Sequence, residues 1–170
     1  MAAPSISEPE GAEGIILTQR AGLALLWPFL EHFFTVLEAL EAPAYRLRLL
    51  SYIGSGRSDA IEADPLEALL AGVAPDAHLP DPGQWTDQDA EMCGSLMEAF
   101  RQNWPAVANT SVEDLRASFL ARDGRLTEFD DRTHLVVQPT PFDMLLDQLP
   151  WSITTIQMNW MPRPLMVKWR

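Results

Sequence analysis

A chain of 170 residues, 47% of them apolar, is long enough to bury a core without metals or disulfides and too apolar to be disordered. Its 24 acidic residues against 12 basic ones give a net charge of −12, and no basic run offers nucleic acid a face. Cys93 is the single cysteine, so no internal disulfide forms, and the longest apolar run, 21–30, is too short to span a membrane and contains Pro28.

Residues 1–13 are small, acidic and proline-containing and are expected to form a disordered tail. The remainder, 14–170, is expected to be one domain, with a possible subdivision near 75–85. Ile15, Ile16 and Leu17 make a short run suited to an edge strand. Over 21–40, Leu23, Leu26, Leu30, Phe33, Phe34 and Leu37 fall on one helical face, and Pro28 forces a kink or a restart. Tyr45, Leu49, Tyr52 and Ile53 give a second helix, stopped by Gly54-Ser55-Gly56. Asp64-Pro65-Leu66-Glu67 is a helix start, with Asp64 as the cap and Gly72 at the far end. Three prolines and a glycine over 75–83 mark a loop.

Thr86 opens the next helix, with Met92, Leu96 and Phe100 in one stripe and Cys93, Met97 and Trp104 beside it. Thr110-Ser111-Val112-Glu113 reads as a capping box with Thr110 as the cap, and Asp123-Gly124 ends the helix that follows. From Arg125 the period becomes two, and 125–138 reads as a β-hairpin turning at Asp130-Asp131. Thr140-Pro141 starts a short helix ending at Pro150. Residues 153–158 alternate like a strand without a clear buried face. A last strand over 165–169 follows Pro162 and Pro164, which are expected to keep it at an edge or to delay its pairing. The fold class is α+β, mainly helical, with a small antiparallel sheet toward the C-terminus.

The charge is uneven. Residues 1–90 carry 4 basic and 14 acidic side chains, and residues 91–170 carry 8 and 10. No basic n-region of a secretory signal opens the chain, so it is read as soluble and cytoplasmic.

No residue set reads as a catalytic or cofactor site. His32, His78 and His134 are scattered and match no metal-ligand spacing. Cys93 sits in an apolar helical row, where a thiol behaves as a small hydrophobe. Gly54-Ser55-Gly56-Arg57-Ser58 lacks the spacing and the lysine of a phosphate loop. The pairs Glu113-Asp114 and Asp130-Asp131 have structural explanations in a helix's first turn and a hairpin tip. That leaves the C-terminal tryptophans. Trp151, Trp160 and Trp169, with Arg163, Lys168 and Arg170, are residue types favoured at binding hot spots. Trp151, Trp160, Arg163, Lys168 and Trp169 are therefore the candidate protein-docking residues, with core packing as the competing role.

The order of motifs over about 14–170 resembles a known family. Trp27-Pro28-Phe29-Leu30, Asn109-Thr110-Ser111-Val112, Gly124-Arg125-Leu126, Pro141-Phe142-Asp143, Leu149-Pro150-Trp151-Ser152-Ile153 and Trp160-Met161 look like the tape measure family of bacterial contractile injection systems. The resemblance implies a non-enzymatic component of a phage-tail-like particle, in which a sheath contracts around an inner tube. It implies contacts with tube, baseplate hub or cap proteins and a role in tube length control or terminal anchoring, and the symmetry of such particles allows a symmetric homo-oligomer. It carries over no catalytic residue, and no cofactor is expected; the charge balance and the short apolar run argue against nucleic acid and membrane partners. A wholly helical chain of this length would reach roughly 255 Å. With its prolines and loops it is expected to be compact instead, on the order of 15–16 Å in radius of gyration. The alternative reading is a stand-alone protein-interaction adaptor unrelated to any particle.

Overall fold

The computed structural model describes residues 14–59, 63–74 and 77–169. The tail expected over 1–13 and Arg170 lie outside them. A helical layer packs against a five-stranded sheet, so the class is α+β as expected. The first apolar run does restart near Pro28. A 3-10 segment, Ala21–Leu26, has every residue buried, and α1 (Trp27–Val36) then begins with Pro28 in its first turn. There the missing N–H costs nothing. Helix α2 (Pro43–Ser55) ends at Gly56 and α3 (Pro65–Ala71) at Gly72, both at φ +75°, a conformation that glycine adopts without strain.

The caps are local chemistry. Asp64 accepts from Leu66 N–H while Glu67 accepts from Asp64 N–H. Thr86 and Asp89 make the same reciprocal pair at the start of α4 (Asp87–Gln102), and Thr140 and Asp143 do so at the 3-10 segment Pro141–Gln148. The capping box expected at Thr110 is displaced by one residue. Thr110 N–H closes a turn onto Val107 O, and Ser111, in extended conformation, caps α5 (Val112–Leu115) by accepting from Asp114 N–H. Helix α5 runs into a π turn, Arg116–Leu120, closed by Ala121 N–H on Arg116 O at 2.8 Å. Gly124 does not terminate this helix; it opens a strand.

The sheet runs β1 (Ile15–Thr18), β2 (Gly124–Glu128), β3 (Thr133–Val137), β5 (Leu165–Lys168) and β4 (Thr155–Ile156), in that spatial order. Strand β1 is an edge, and β2–β3 is the expected hairpin. Two expectations about the last strand change. First, β5 does not stand at an edge but lies inside the sheet, between β3 and β4, and its pairing begins only at Leu165, after both prolines. Pro162 and Pro164 precede the ladder, and Pro164 joins it through its carbonyl, which accepts from Thr133 N–H at 2.9 Å. Second, β5 runs parallel to β3, because the connection over 138–164 carries the chain back to the same end. Along 153–158, Ile156 and Met158 are buried, a face the alternation alone did not reveal.

One buried cluster draws on both sides of the 75–85 loop: Leu23, Leu25, Leu30, Phe34, Leu49 and Leu70 from the first half, and Phe100, Trp104, Leu120, Leu135 and Leu165 from the second. The 3-10 segment 21–26 lies at its centre because Gly22 lets two backbones touch. A Cβ there would come within 1.6 Å of Phe119 O.

Candidate docking surface

The C-terminal tryptophans are placed by hydrogen bonds to distant elements. Trp151 Nε1 donates to Leu25 O at 2.9 Å, and its ring meets Phe29 edge to face at 5.1 Å. Trp160 Nε1 donates to Leu70 O at 2.7 Å, packs on Phe34, and carries the Arg46 guanidinium over its ring at 5.4 Å. Trp169 is 6% exposed and donates to Asp143 Oδ2 at 3.1 Å. Trp27 and Trp104 likewise donate to Ser152 O and Leu145 O. Thus the indoles of Trp151, Trp160 and Trp169 are tied to three different elements and do not share one patch. Trp151 and Trp160 are half-buried. Arg163 is also half-buried and donates to Phe129 O. Lys168 alone of the five candidates is exposed.

Buried charges hold the frame around these rings. Arg122 and Asp143, 4% and 5% exposed at the side chain, pair at 2.8 Å. Arg122 also reaches Ser118 O and Gln138 O, and lies over Trp169 at 5.3 Å. The pair therefore ties the π turn, the 141–148 segment and the end of β5 together. Breaking such a pair from one side strands a buried charge. Arg46, buried on α2, has no acid partner but donates to Ala71 O and Ala39 O, the C-terminal ends of α3 and of the turn after α1. Burial lowers its pKa.

Sequence reasoning missed the surface on the far side of the sheet. Strand alternation and register place Ile15, Leu17, Arg125, Thr127, His134, Val136, Met166 and Lys168 on one face. Leu17, Arg125, Val136 and Lys168 form one continuous cross-strand row. Leu17 is 70% exposed, Ile15 43% and Val136 39%, and Arg125 and Lys168 are exposed. None of these eight strand positions is acidic, although Asp123 borders the same groove as Leu17, Arg125 and Val136 and Asp131 lies near His134. The signal was available: the hairpin alternation at Arg125 and Thr127 sets the outward positions once the turn at Asp130-Asp131 is placed.

The cations divide sharply. Arg20, Arg57, Arg101, Arg122 and Arg132 pair with Glu67, Asp59, Glu98, Asp143 and Asp131. Arg46, Arg48, Arg116 and Arg163 donate to backbone carbonyls. Among the described residues, Arg125 and Lys168 alone of the cations have no ion pair or hydrogen bond. His134, beside them, accepts from Arg132 Nε at 2.9 Å. Burial, and then the positive Arg132, hold its pKa below the ordinary range.

Among the described residues, Cys93 and His134 are not brought together. Cys93 on α4 borders a groove of about 650 Å³ with Glu91, Glu98 and Arg116, but burial pushes its thiol pKa up to about 12, so the thiolate is not available at neutral pH. His134 is on the opposite layer. Among the described residues no group of three or more His, Cys, Asp or Glu side chains is arranged to hold a metal ion. Nor is any of their helices long and apolar enough to cross a membrane.

These features define a two-layer α+β protein, helices on one sheet face and solvent on the other, with an acid-free row of apolar and cationic side chains on the open side. The family model described as contractile injection system tape measure protein matches residues 2–169, and the chain belongs to that family. No curated protein and no solved structure matches it.

Proposed function

We propose that this chain is a non-catalytic assembly component of a contractile injection system that docks on a tube, hub or cap protein, and that it anchors an end of the structure instead of measuring its length. The observation that carries this reading is its shape. Among the described residues the longest helix, α4, has 16 residues, a rise of about 24 Å, and the other described elements fold back onto the same core. A rod that sets tube length needs extended chain in proportion to that length. Of the five residues first considered for docking, the reading rests on Lys168, the exposed one. Assembly would take place in the cytoplasm, where a buried free cysteine and a disulfide-free core are at ease.

The test is co-purification of the full chain with the tube, hub and cap proteins of its own particle, together with electron microscopy of particles from cells lacking the gene. Capture of one of them, with missing or unstable particles in the deletion, is the expected result. Capture of none, with normal particles in the deletion, overturns the proposal.

A further inference from the structure

We propose that the open sheet face binds a single amphipathic helix of a partner protein, one whose apolar stripe is flanked on both sides by carboxylates. The inference deepens the docking function proposed above and rests on it for the partner's origin. Three observations support it. Arg125 and Lys168 have no ion pair in a chain of net charge −12, and the cross-strand row they stand in holds no acid, the exposed Asp123 lying at its edge. Between them in the same row stands Val136, 39% exposed, so the charges flank an apolar centre.

The third observation is size. Two strand spacings separate the cations, about 10 Å, which matches the 10–12 Å width of a helix. Four strands by two outward rows cover roughly 15 by 7 Å between Cα positions, far below the ~800 Å² per partner of a standard globular interface. A helix lying over β3 would seat its apolar stripe on Val136 and bring a carboxylate on each flank to Arg125 and Lys168. Leu17, 70% exposed, extends the apolar floor beyond Arg125. A strand added at the β1 edge would bond by main chain and ignore both cations. Nucleic acid is disfavoured because two cations release few counterions against a net charge of −12.

The experiment uses the full chain and a synthetic helical peptide of about 18 residues, long enough to hold a helix, with a leucine stripe flanked by glutamates. A second peptide has lysines in place of the glutamates. Fluorescence anisotropy should show binding of the acidic peptide, weakened by salt and reduced roughly tenfold in Arg125→Glu/Lys168→Glu, as two exposed ion pairs predict. The lysine peptide should bind the double variant better than the parent. Val136→Asp should abolish binding of both. Because all three positions are exposed, unchanged melting of the variants separates lost binding from lost folding.

Equal binding of both peptides, or indifference to the charge reversal, overturns the proposal. So does tighter binding of a single-stranded oligonucleotide, or of a second copy of the chain that excludes the peptide. If the acidic peptide binds but no particle protein does, the face stands and the function proposed for it falls. If a particle protein binds parent and double variant equally, the function stands and this face is not its site.

Discussion

Glu67 shows how one residue is set against its surroundings. It closes the capping box of α3, lies 3.8 Å from Arg20, and has a side chain only 3% exposed. Arg20 and the Asp64 N–H favour its charged form, yet burial dominates and raises its pKa to about 7. The proximity to Arg20 is therefore an ion pair only above that pH. The folded state holds a proton that the unfolded chain releases near 4.5, so the group's contribution is full below about 4.5, falls as pH rises, and is gone above about 7. The shift corresponds to about 3 kcal/mol. Glu67→Gln keeps an oxygen for the Asp64 N–H but cannot ionise. Urea unfolding at pH 5 and pH 8 should show the parent losing about 2–3 kcal/mol more than the variant across that interval. Parallel pH profiles would refute the assignment.

At the scale of elements, the tightest contact joins the 3-10 segment 21–26 to the π turn 116–120. Because the neighbouring atom at Gly22 is a backbone oxygen, no side-chain rotation relieves an added methyl. Gly22→Ala should therefore cost about 3 kcal/mol or more and lower the melting temperature by roughly 10 °C in a chain of this size. A melt within about two degrees of the parent would mean that the two segments separate easily. This contact also marks the boundary of what the sequence disclosed. The caps at Asp64 and Thr86, the stops at Gly56 and Gly72, the restart at Pro28 and the hairpin are all decided by residues within a few positions, and all were legible. The π turn, the parallel β3–β5 pairing, the Arg122–Asp143 pair and the five indole donors depend on partners tens of residues away. Trp151 reads as a surface anchor until Leu25, 126 positions earlier, is known to accept its N–H. The open sheet face lay between these cases, since its outward positions follow from the hairpin but its exposure follows from every helix packing on the other side.

For the whole molecule, the decisive question within its family is whether length is read from this chain. A ruler and an anchor make opposite predictions about insertion. The loop before α4 is the place to ask. Asp81, Pro82 and Gly83 are exposed; Arg48 donates to the Gly83 carbonyl and lies over the Trp85 ring at 5.6 Å. Added residues there disturb no core packing, and loop length costs little entropy. A helical insert of about 20 residues between Asp81 and Pro82 would add about 30 Å of rise. If the chain spans the tube as its measure, tubes should lengthen by up to that amount and the increment should scale with a second, longer insert. If it anchors an end, as its compact shape argues, tube length in electron micrographs should stay at the parental value for both inserts while particle yield falls with Arg125→Glu/Lys168→Glu. Proportional lengthening would return the measuring role to this chain.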